Sequence, residues 1–132
     1  MENKIIIEFA HICENVIVAN NGNLSIVNIF NQISSSNFPA IHPVLFIVVG
    51  ATGDEGEYEV NIQIKKEGDE RPVTTQTLPD KMKIPKFPAQ GRLFVKFSPL
   101  VLKFAGSYKI IISIAGQTKI LFFEAKQVIK QP

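Results

Sequence analysis

The chain has 132 residues, of which 45% are hydrophobic and 20% are charged, and its formal net charge is +2. The length suits one domain, and the composition excludes an intrinsically disordered chain. A single cysteine excludes an internal disulfide, and the apolar stretches are far shorter than the roughly 20 residues of a membrane-spanning helix. We therefore expect one domain over residues 1–132.

The N-terminal segment lacks the basic leader and apolar run of a signal peptide. Together with the lone cysteine, this predicts a cytoplasmic protein without a membrane partner. The same segment starts the first predicted strand. Its alternate residues Ile5, Ile7, Phe9, His11 and Cys13 are expected to share one face.

The hydrophobic pattern along the rest of the chain has a period of two, which is typical of β-strands. Tyr58, Val60, Ile62 and Ile64 alternate with polar residues, and Leu93, Val95 and Phe97 alternate with Arg92, Phe94 and Lys96. Tyr108, Ile110, Ile112 and Ile114 form another such set. The run from Val44 to Val49 does not alternate, so it is interpreted as a strand covered on both faces. Further strands are predicted over residues 15–19, 23–33, 43–50, 72–78 and 118–126.

Turn signals separate these strands. Asn21-Gly22 is a strong two-residue hairpin signal, and residues 115–117, centred on Gly116, divide the last two strands in the same way. Two longer connections are predicted over residues 34–43 and 79–91. The pattern predicts an all-β, antiparallel two-sheet sandwich of about seven to nine strands, similar to immunoglobulin domains.

Charge is distributed unevenly along the chain. Residues 1–80 hold four basic and eleven acidic side chains, whereas residues 81–132 hold ten basic and one acidic. One interpretation is that acidic and basic strands lie side by side. Another is a site for nucleic acid or an anionic ligand in the basic loop 81–92. The residues of this candidate site are Lys81, Lys83, Lys86, Phe87 and Arg92.

His11 and Cys13, together with His42, are the candidate residues for a small-molecule or metal site. Zinc needs three or four ligands, and this set supplies at most three. Cys13 is interpreted more simply as a small core residue. Since the sequence has no phosphate-binding loop, zinc-protease motif or nucleophile elbow, we expect no enzyme activity, no metal and no cofactor.

Several predicted strands are apolar on both faces. Ile120 and Phe122 oppose Leu121 and Phe123, and Ile111 lies on the face opposite Ile110 and Ile112. Val27 and Ile29 similarly oppose Leu24, Ile26 and Phe30. Loops or another subunit must cover such side chains. The leading functional hypothesis is therefore a protein-interaction module that binds a protein partner or forms a homo-oligomer.

Three segments resemble a family of small bacterial proteins of unknown function. They are Ala10-His11-Ile12-Cys13-Glu14, the run from Leu24 to Ile33 followed by Phe38-Pro39, and the closing Gly106-Ser107-Tyr108 with its Gly116 turn. Asn28 stands where that family usually has glycine. The resemblance implies an immunoglobulin-like sandwich with no known activity. The Gly106-x-Tyr108 spacing is also similar to the tyrosine corner of sandwich domains.

Overall fold

A computed structural model describes residues 4–77 and 81–129. These residues form thirteen strands and no helix, so nothing in them is a helix long and apolar enough to cross a membrane. The first seven strands are β1 (Ile5–Val18), β2 (Leu24–Ile29), β3 (Gln32–Ser35), β4 (Ala40–His42), β5 (Leu45–Gly53), β6 (Gly56–Tyr58) and β7 (Val60–Lys66). The remaining six are β8 (Pro72–Thr77), β9 (Met82–Ile84), β10 (Gly91–Phe97), β11 (Leu100–Leu102), β12 (Gly106–Ile114) and β13 (Gln117–Gln127).

Most of the strands belong to two larger sheets. One has four strands in the order β10-β5-β1-β2, and the other has five in the order β3-β13-β12-β7-β8. Two short ladders, β11-β4 and β6-β9, complete the described part. The two larger sheets each contribute one face to a shared hydrophobic core, which also takes in Met82, Ile84, Leu100 and Leu102 from the short ladders. The all-β prediction is confirmed.

The predicted alternation is clearest in the centre of the five-stranded sheet. Val60, Ile62 and Ile64 of β7 are buried, and they alternate with residues that reach solvent. Ile110 and Ile112 of β12 are fully buried and pair with β7 in register. Burying an isoleucine side chain stabilises the fold by about 1.5–3 kcal/mol. These two strands therefore anchor the sheet through their inner face.

Both predicted hairpins are present. The β1–β2 turn is closed by hydrogen bonds between Ala19 and Asn23 and from Gly22 N–H to the Ala19 carbonyl, with Gly22 at φ 88°. In the β12–β13 turn, Ala115 and Gly116 both have positive φ, at 48° and 81°. Two consecutive left-handed residues give the turn the twist that antiparallel strands need.

The predicted common face of the first strand is wrong beyond Ile7. A β-bulge at Glu8 shifts the pairing with β5, so that Ile7 pairs with Ala51 but Phe9 pairs with Gly50. An extra residue reverses which side chains face the core. As a result Ala10 and Ile12 join the core, and Phe9, His11 and Cys13 lie on the opposite face. The separate strand predicted over 15–19 is part of β1.

The single strand predicted over residues 23–33 is also wrong. It divides into β2, which pairs with β1, and β3, which joins the other sheet beside β13. Asn28 has φ 53°, a left-handed conformation that asparagine tolerates better than most residues. Its side-chain amide donates a hydrogen bond to Glu14 at 3.0 Å. Asn28 thus fulfils the conformational role of the glycine that the resembling family usually has here.

The prediction that every strand pair is antiparallel fails at β3. This strand runs parallel to β13, with Ile33 opposite Ala125. After β2 the chain passes from the four-stranded sheet to the five-stranded sheet, where β3 forms the edge beside β13. This direction depends on a contact between segments 92 residues apart in sequence, Ile33 and Ala125. The second sheet is consequently mixed.

The two segments predicted as loops contain short strands. Residues 34–43 include the end of β3 and all of β4, and residues 79–91 include β9. Ala40 of β4 is buried, as are Met82 and Ile84 of β9. This burial explains why both segments adopt a regular strand conformation. The described part ends at residue 77 and resumes at residue 81, so the predicted end of the 72–78 strand and the start of the second loop lie outside it.

Two tyrosines tie their own strands to the turn that precedes them. The Tyr108 hydroxyl donates a hydrogen bond to the Phe104 carbonyl, as the predicted tyrosine corner requires. Tyr58 makes the same contact with the Asp54 carbonyl at 2.8 Å. Both tyrosines follow a Gly-x-Tyr spacing, and the second instance, Gly56-Glu57-Tyr58, was not singled out by the sequence analysis. The two contacts differ in burial, because Tyr108 is buried in the core and Tyr58 is half-buried.

Replacing Tyr108 with phenylalanine should lower the free energy of unfolding by about 1–3 kcal/mol, since it leaves the Phe104 carbonyl without its donor in a partly buried site. Tyr58→Phe removes the same contact in an exposed place, where water replaces the donor. Its loss should be less than half as large. Urea denaturation followed by far-ultraviolet circular dichroism measures both. Equal losses for the two variants would contradict a special role for the Tyr108 corner.

Candidate interaction surface

The side chains predicted to bind an anion all reach solvent along one stretch of chain. Lys81 precedes β9, and Lys83 lies within it. Lys86 and Phe87 lie in the β9–β10 turn, where the Ala89 N–H donates a hydrogen bond to the Lys86 carbonyl at 3.0 Å. Phe87 is 67% exposed. This stretch therefore exposes all five predicted residues, which are Lys81, Lys83, Lys86, Phe87 and Arg92.

Two of these cations are linked to acidic residues from the first half of the chain, one across a ladder and one through a glutamine. Lys83 lies directly opposite Glu57 in the β6–β9 ladder. The Arg92 guanidinium donates a hydrogen bond to the Gln90 side chain at 2.8 Å, and the Gln90 amide donates to Glu8 at 2.9 Å. The uneven charge along the sequence is therefore partly compensated in space at this end of the molecule.

The alternative site at His11, Cys13 and His42 is not assembled. His11 stacks on Phe9, whereas His42 lies on β4 against Phe30, with ring centroids 5.8 Å apart. No three His, Cys, Asp or Glu side chains in the described part of the chain lie close enough to hold a metal ion. Cys13 is fully buried, and this burial raises the pKa of its thiol and disfavours the thiolate.

The face of the four-stranded sheet that points away from the core carries aromatic side chains in register. Residues paired across antiparallel strands lie on the same face. In this way His11, Val48 and Phe94 form one row across β1, β5 and β10, and Cys13 and Phe46 lie in the next row. We call the four rings on this surface the outer aromatic face: Phe9, His11, Phe46 and Phe94.

This surface is packed like a small core of its own. Cys13 and Val48 lie outside the main hydrophobic cluster, yet both are fully buried. The Phe46 and Phe94 rings meet with centroids 6.3 Å apart, and Phe94 is 40% exposed. Larger side chains of the same face thus shield the two small residues, while part of each large ring is left in water.

A glycine allows this packing at the end nearest the bulge. A Cβ added at Gly50 would lie 2.0 Å from the Phe9 ring, so the ring rests directly on the bare backbone of β5. Stacking between Phe9 and His11, with centroids 5.7 Å apart, continues the surface along β1. Because Gly50 has no side chain, it leaves the space that the Phe9 ring occupies on the outer aromatic face.

Apolar surface extends from this face towards the second sheet. Ile29 of β2 pairs with Cys13, and a cavity of about 150 Å³ between the sheets is lined by His11, Ile29 and Phe122. Ile29, Ile120 and Phe122 are exposed, so the described loops leave these side chains largely uncovered, and their cover by another subunit stays a prediction. Ile29 and Phe122 form an apolar margin beside the outer aromatic face.

Sequence reasoning missed the outer aromatic face itself. The bulge at Glu8 leaves no mark in the residue pattern, so Phe9 was assigned to the core. The unbroken apolar run of β5 predicted cover on both faces, and this run contains Phe46. Phe94 is the residue that could have indicated this face. It alternates with Leu93 and Val95, so its side chain must point away from the core.

Comparison with solved structures finds likeness in fold to parts of larger proteins. A β-glucosidase from Listeria innocua, solved in complex with glucose, matches 98% of this chain at 7% identity with a TM-score of 0.53. The β-glucosidase EmGH1 from Erythrobacter marinus matches 93% of it at 10% identity with a TM-score of 0.52. The chain spans only 16% and 15% of those two proteins. At such identities the likeness concerns the fold alone.

Among curated proteins no relative matches. A family model, in contrast, matches residues 8–121, which include most of β1, every strand from β2 to β12, the first part of β13 and the whole outer aromatic face. The description of that family agrees with the resemblance drawn from the sequence. The chain belongs to a family of unknown function, DUF6941.

Proposed function

We propose that this domain is an immunoglobulin-like β-sandwich that acts as a non-enzymatic interaction module and self-associates through its outer aromatic face. The sandwich is supported by two sheets that share one core, by the Tyr108 contact with the preceding turn, and by the fold likeness to parts of the two glucosidases. A cytoplasmic location is supported by the single free cysteine, Cys13.

The observation that carries the proposal is the second layer of apolar packing on the outer aromatic face. A solvent-facing side of an antiparallel sheet is ordinarily polar. Here the rows of β1, β5 and β10 place rings over Cys13 and Val48, and Phe94 remains 40% exposed. A partner surface that covers these rings removes further apolar area from water, which is the usual source of association energy.

The charges around this face favour a second copy of the chain as the partner. Arg92 and Glu8 are joined through Gln90 across one end of the face, so their charges offset each other. Lys96, beside Phe46, is the remaining cation in these rows. A nearly neutral apolar surface brings little like charge together when two copies meet across a two-fold axis, which uses the same surface of both copies.

Sedimentation velocity of the purified chain tests this proposal at low and high salt. We expect a discrete dimer that persists at 1 M salt, because association through apolar rings is not screened. A monomer at all concentrations up to the millimolar range would refute it. Dissociation caused by salt alone would show that charged contacts, and not the aromatic face, hold the copies together.

A second candidate function is binding of single-stranded nucleic acid by the 81–92 loop. The specific observation in its favour is that Phe87, 67% exposed, lies next to the exposed Lys86, which is the combination of stacking ring and cation that such binding uses. Lys81 and Lys83 add two more cations on the same stretch.

If the loop binds in this way, a fluorescently labelled oligothymidylate should bind at 20 mM salt, with log K falling against log salt at a slope of about −2 for three phosphate contacts. Replacing Lys81, Lys83 and Lys86 with glutamine should abolish that binding. Lys109→Gln is the matched control, since it removes a cation from β12. The absence of any anisotropy change at 20 mM salt would dispose of this function.

A further inference from the structure

A cavity of about 410 Å³ lies away from the outer aromatic face and combines cations with apolar side chains. It is formed where the β7–β8 turn meets the segment between β11 and β12. Its volume is in the range of pockets that hold small organic ligands. The residues that matter for its chemistry are Lys66, Asp69, Arg71, Lys103, Phe104 and Tyr108.

The charges in this cavity favour an anion. Asp69 is the acid that lines it, and one carboxylate oxygen accepts a hydrogen bond from the Arg71 backbone N–H at 2.9 Å and lies 3.6 Å from the Arg71 guanidinium. The Arg71 backbone hydrogen bond is the main cause that lowers the pKa of the Asp69 carboxyl, and the charges of Arg71 and Lys66 lower it further. Lys66 and Lys103 also line the cavity, and neither forms an ion pair within residues 4–77 and 81–129. The cavity therefore holds a net positive charge.

One of these cations, Lys66, lies beside the backbone of Gly106. Lys66 pairs with Tyr108 across the β7–β12 ladder, next to Gly106. A Cβ at Gly106 would lie 3.4 Å from Lys66 Cε and 3.5 Å from Nζ, so the lysine side chain passes over the bare glycine backbone. Gly106 also has φ 138°, which disfavours other residues. The Gly-x-Tyr segment thus forms one wall of the cavity and leaves room for the Lys66 side chain beside Gly106.

The apolar part of the cavity is formed by exposed hydrophobic side chains. Phe104, Val101 and Val73 all line it, and all three are among the exposed large hydrophobic residues of the described chain. Phe104 is held in place through its carbonyl, which accepts the Tyr108 hydrogen bond, while its ring is 61% exposed. A ligand with a flat apolar body would cover these side chains and present its charged group to the lysines.

We propose that this cavity is a binding site for a small organic anion with an aromatic body, recognised by Lys66 and Lys103 through its charge and by Phe104 through its ring. This site is independent of the proposed self-association. Hydrogen bonds to a charged group are stronger than neutral ones. Aromatic rings add stacking energy beyond their buried area. Both parts of the ligand are therefore required for tight binding.

Phenyl phosphate is the probe for this proposal, followed by nitrogen–proton correlation spectra of the labelled chain. We expect saturable shifts of the amide signals around Lys66, Lys103 and Phe104. Inorganic phosphate and phenol, each carrying half of the recognised chemistry, should bind at least about tenfold more weakly. Unsaturable shifts scattered over many lysines, or equal binding of phenyl phosphate and inorganic phosphate, would overturn the proposal.

Two variants locate the binding. Lys103→Gln should weaken phenyl phosphate about tenfold, the usual cost of losing one charged hydrogen bond, and Phe104→Ser should weaken phenyl phosphate but leave inorganic phosphate unchanged. Lys119→Gln, which removes an exposed cation outside the cavity and outside the outer aromatic face, is the control. All three residues are exposed, so each variant is expected to fold. Equal effects of the Lys103 and Lys119 substitutions would show that the cavity is not the site.

Discussion

Replacing Ile112 with alanine is expected to lower the free energy of unfolding by about 2–5 kcal/mol. Ile112 is 0% exposed and lies in the middle of β12, where it pairs with Ile62 of β7. Truncation removes three carbon atoms from the shared core and leaves a cavity that strands paired on both sides cannot easily close. Urea denaturation followed by circular dichroism measures the loss.

The matched control is Ile120→Ala. Ile120 lies on the paired strand β13 and is 43% exposed, on the face that points away from the core. Its truncation should cost less than about 1 kcal/mol, as substitutions at the surface usually do. Similar losses for the two variants would mean that the alternation along β12 does not separate an inner face from an outer one.

Replacing Phe94 with serine should raise the dissociation constant of the dimer at least about 30-fold, because a central aromatic residue of an interface often contributes 2 kcal/mol or more. Phe94 lies in the row with His11 and Val48 and packs against Phe46 at a ring distance of 6.3 Å. Analytical ultracentrifugation over a concentration series gives the constant, and circular dichroism shows whether the variant remains folded.

Phe87→Ser is the control for this experiment. Phe87 is more exposed than Phe94, at 67%, but lies in the turn between β9 and β10 and not on the outer aromatic face. Its replacement should leave the dissociation constant within about twofold, in line with the small effect of most peripheral contacts. If Phe87→Ser disrupts the dimer and Phe94→Ser does not, the two copies bind each other through the basic loop 81–92 and not through the outer aromatic face.

Much of the fold follows from local pattern. The alternation of Val60, Ile62 and Ile64 identifies a half-buried strand without any knowledge of its neighbours. The turns at Gly22 and Gly116 are equally local, because a positive φ restricts the choice of residue. Such features need only a few consecutive residues, and for this reason they can be predicted correctly from the sequence.

The remaining features depend on contacts between distant segments. The bulge at Glu8 is a feature of the pairing between β1 and β5, and it moves Phe9 to the outer face. The parallel pairing of β3 with β13 joins Ile33 to Ala125, and no local pattern encodes that direction. The outer aromatic face depends on the bulge, so a correct strand prediction still placed Phe9 and His11 on the wrong face.

In the proposed dimer, two copies of this chain meet through the rings on the outer side of β1, β5 and β10. An isotope-filtered nuclear Overhauser experiment on a mixture of labelled and unlabelled chains detects such contacts. We expect contacts between chains that involve the Phe46 and Phe94 rings. Contacts between chains confined to the β9–β10 turn, or no such contacts at millimolar concentration, would contradict it.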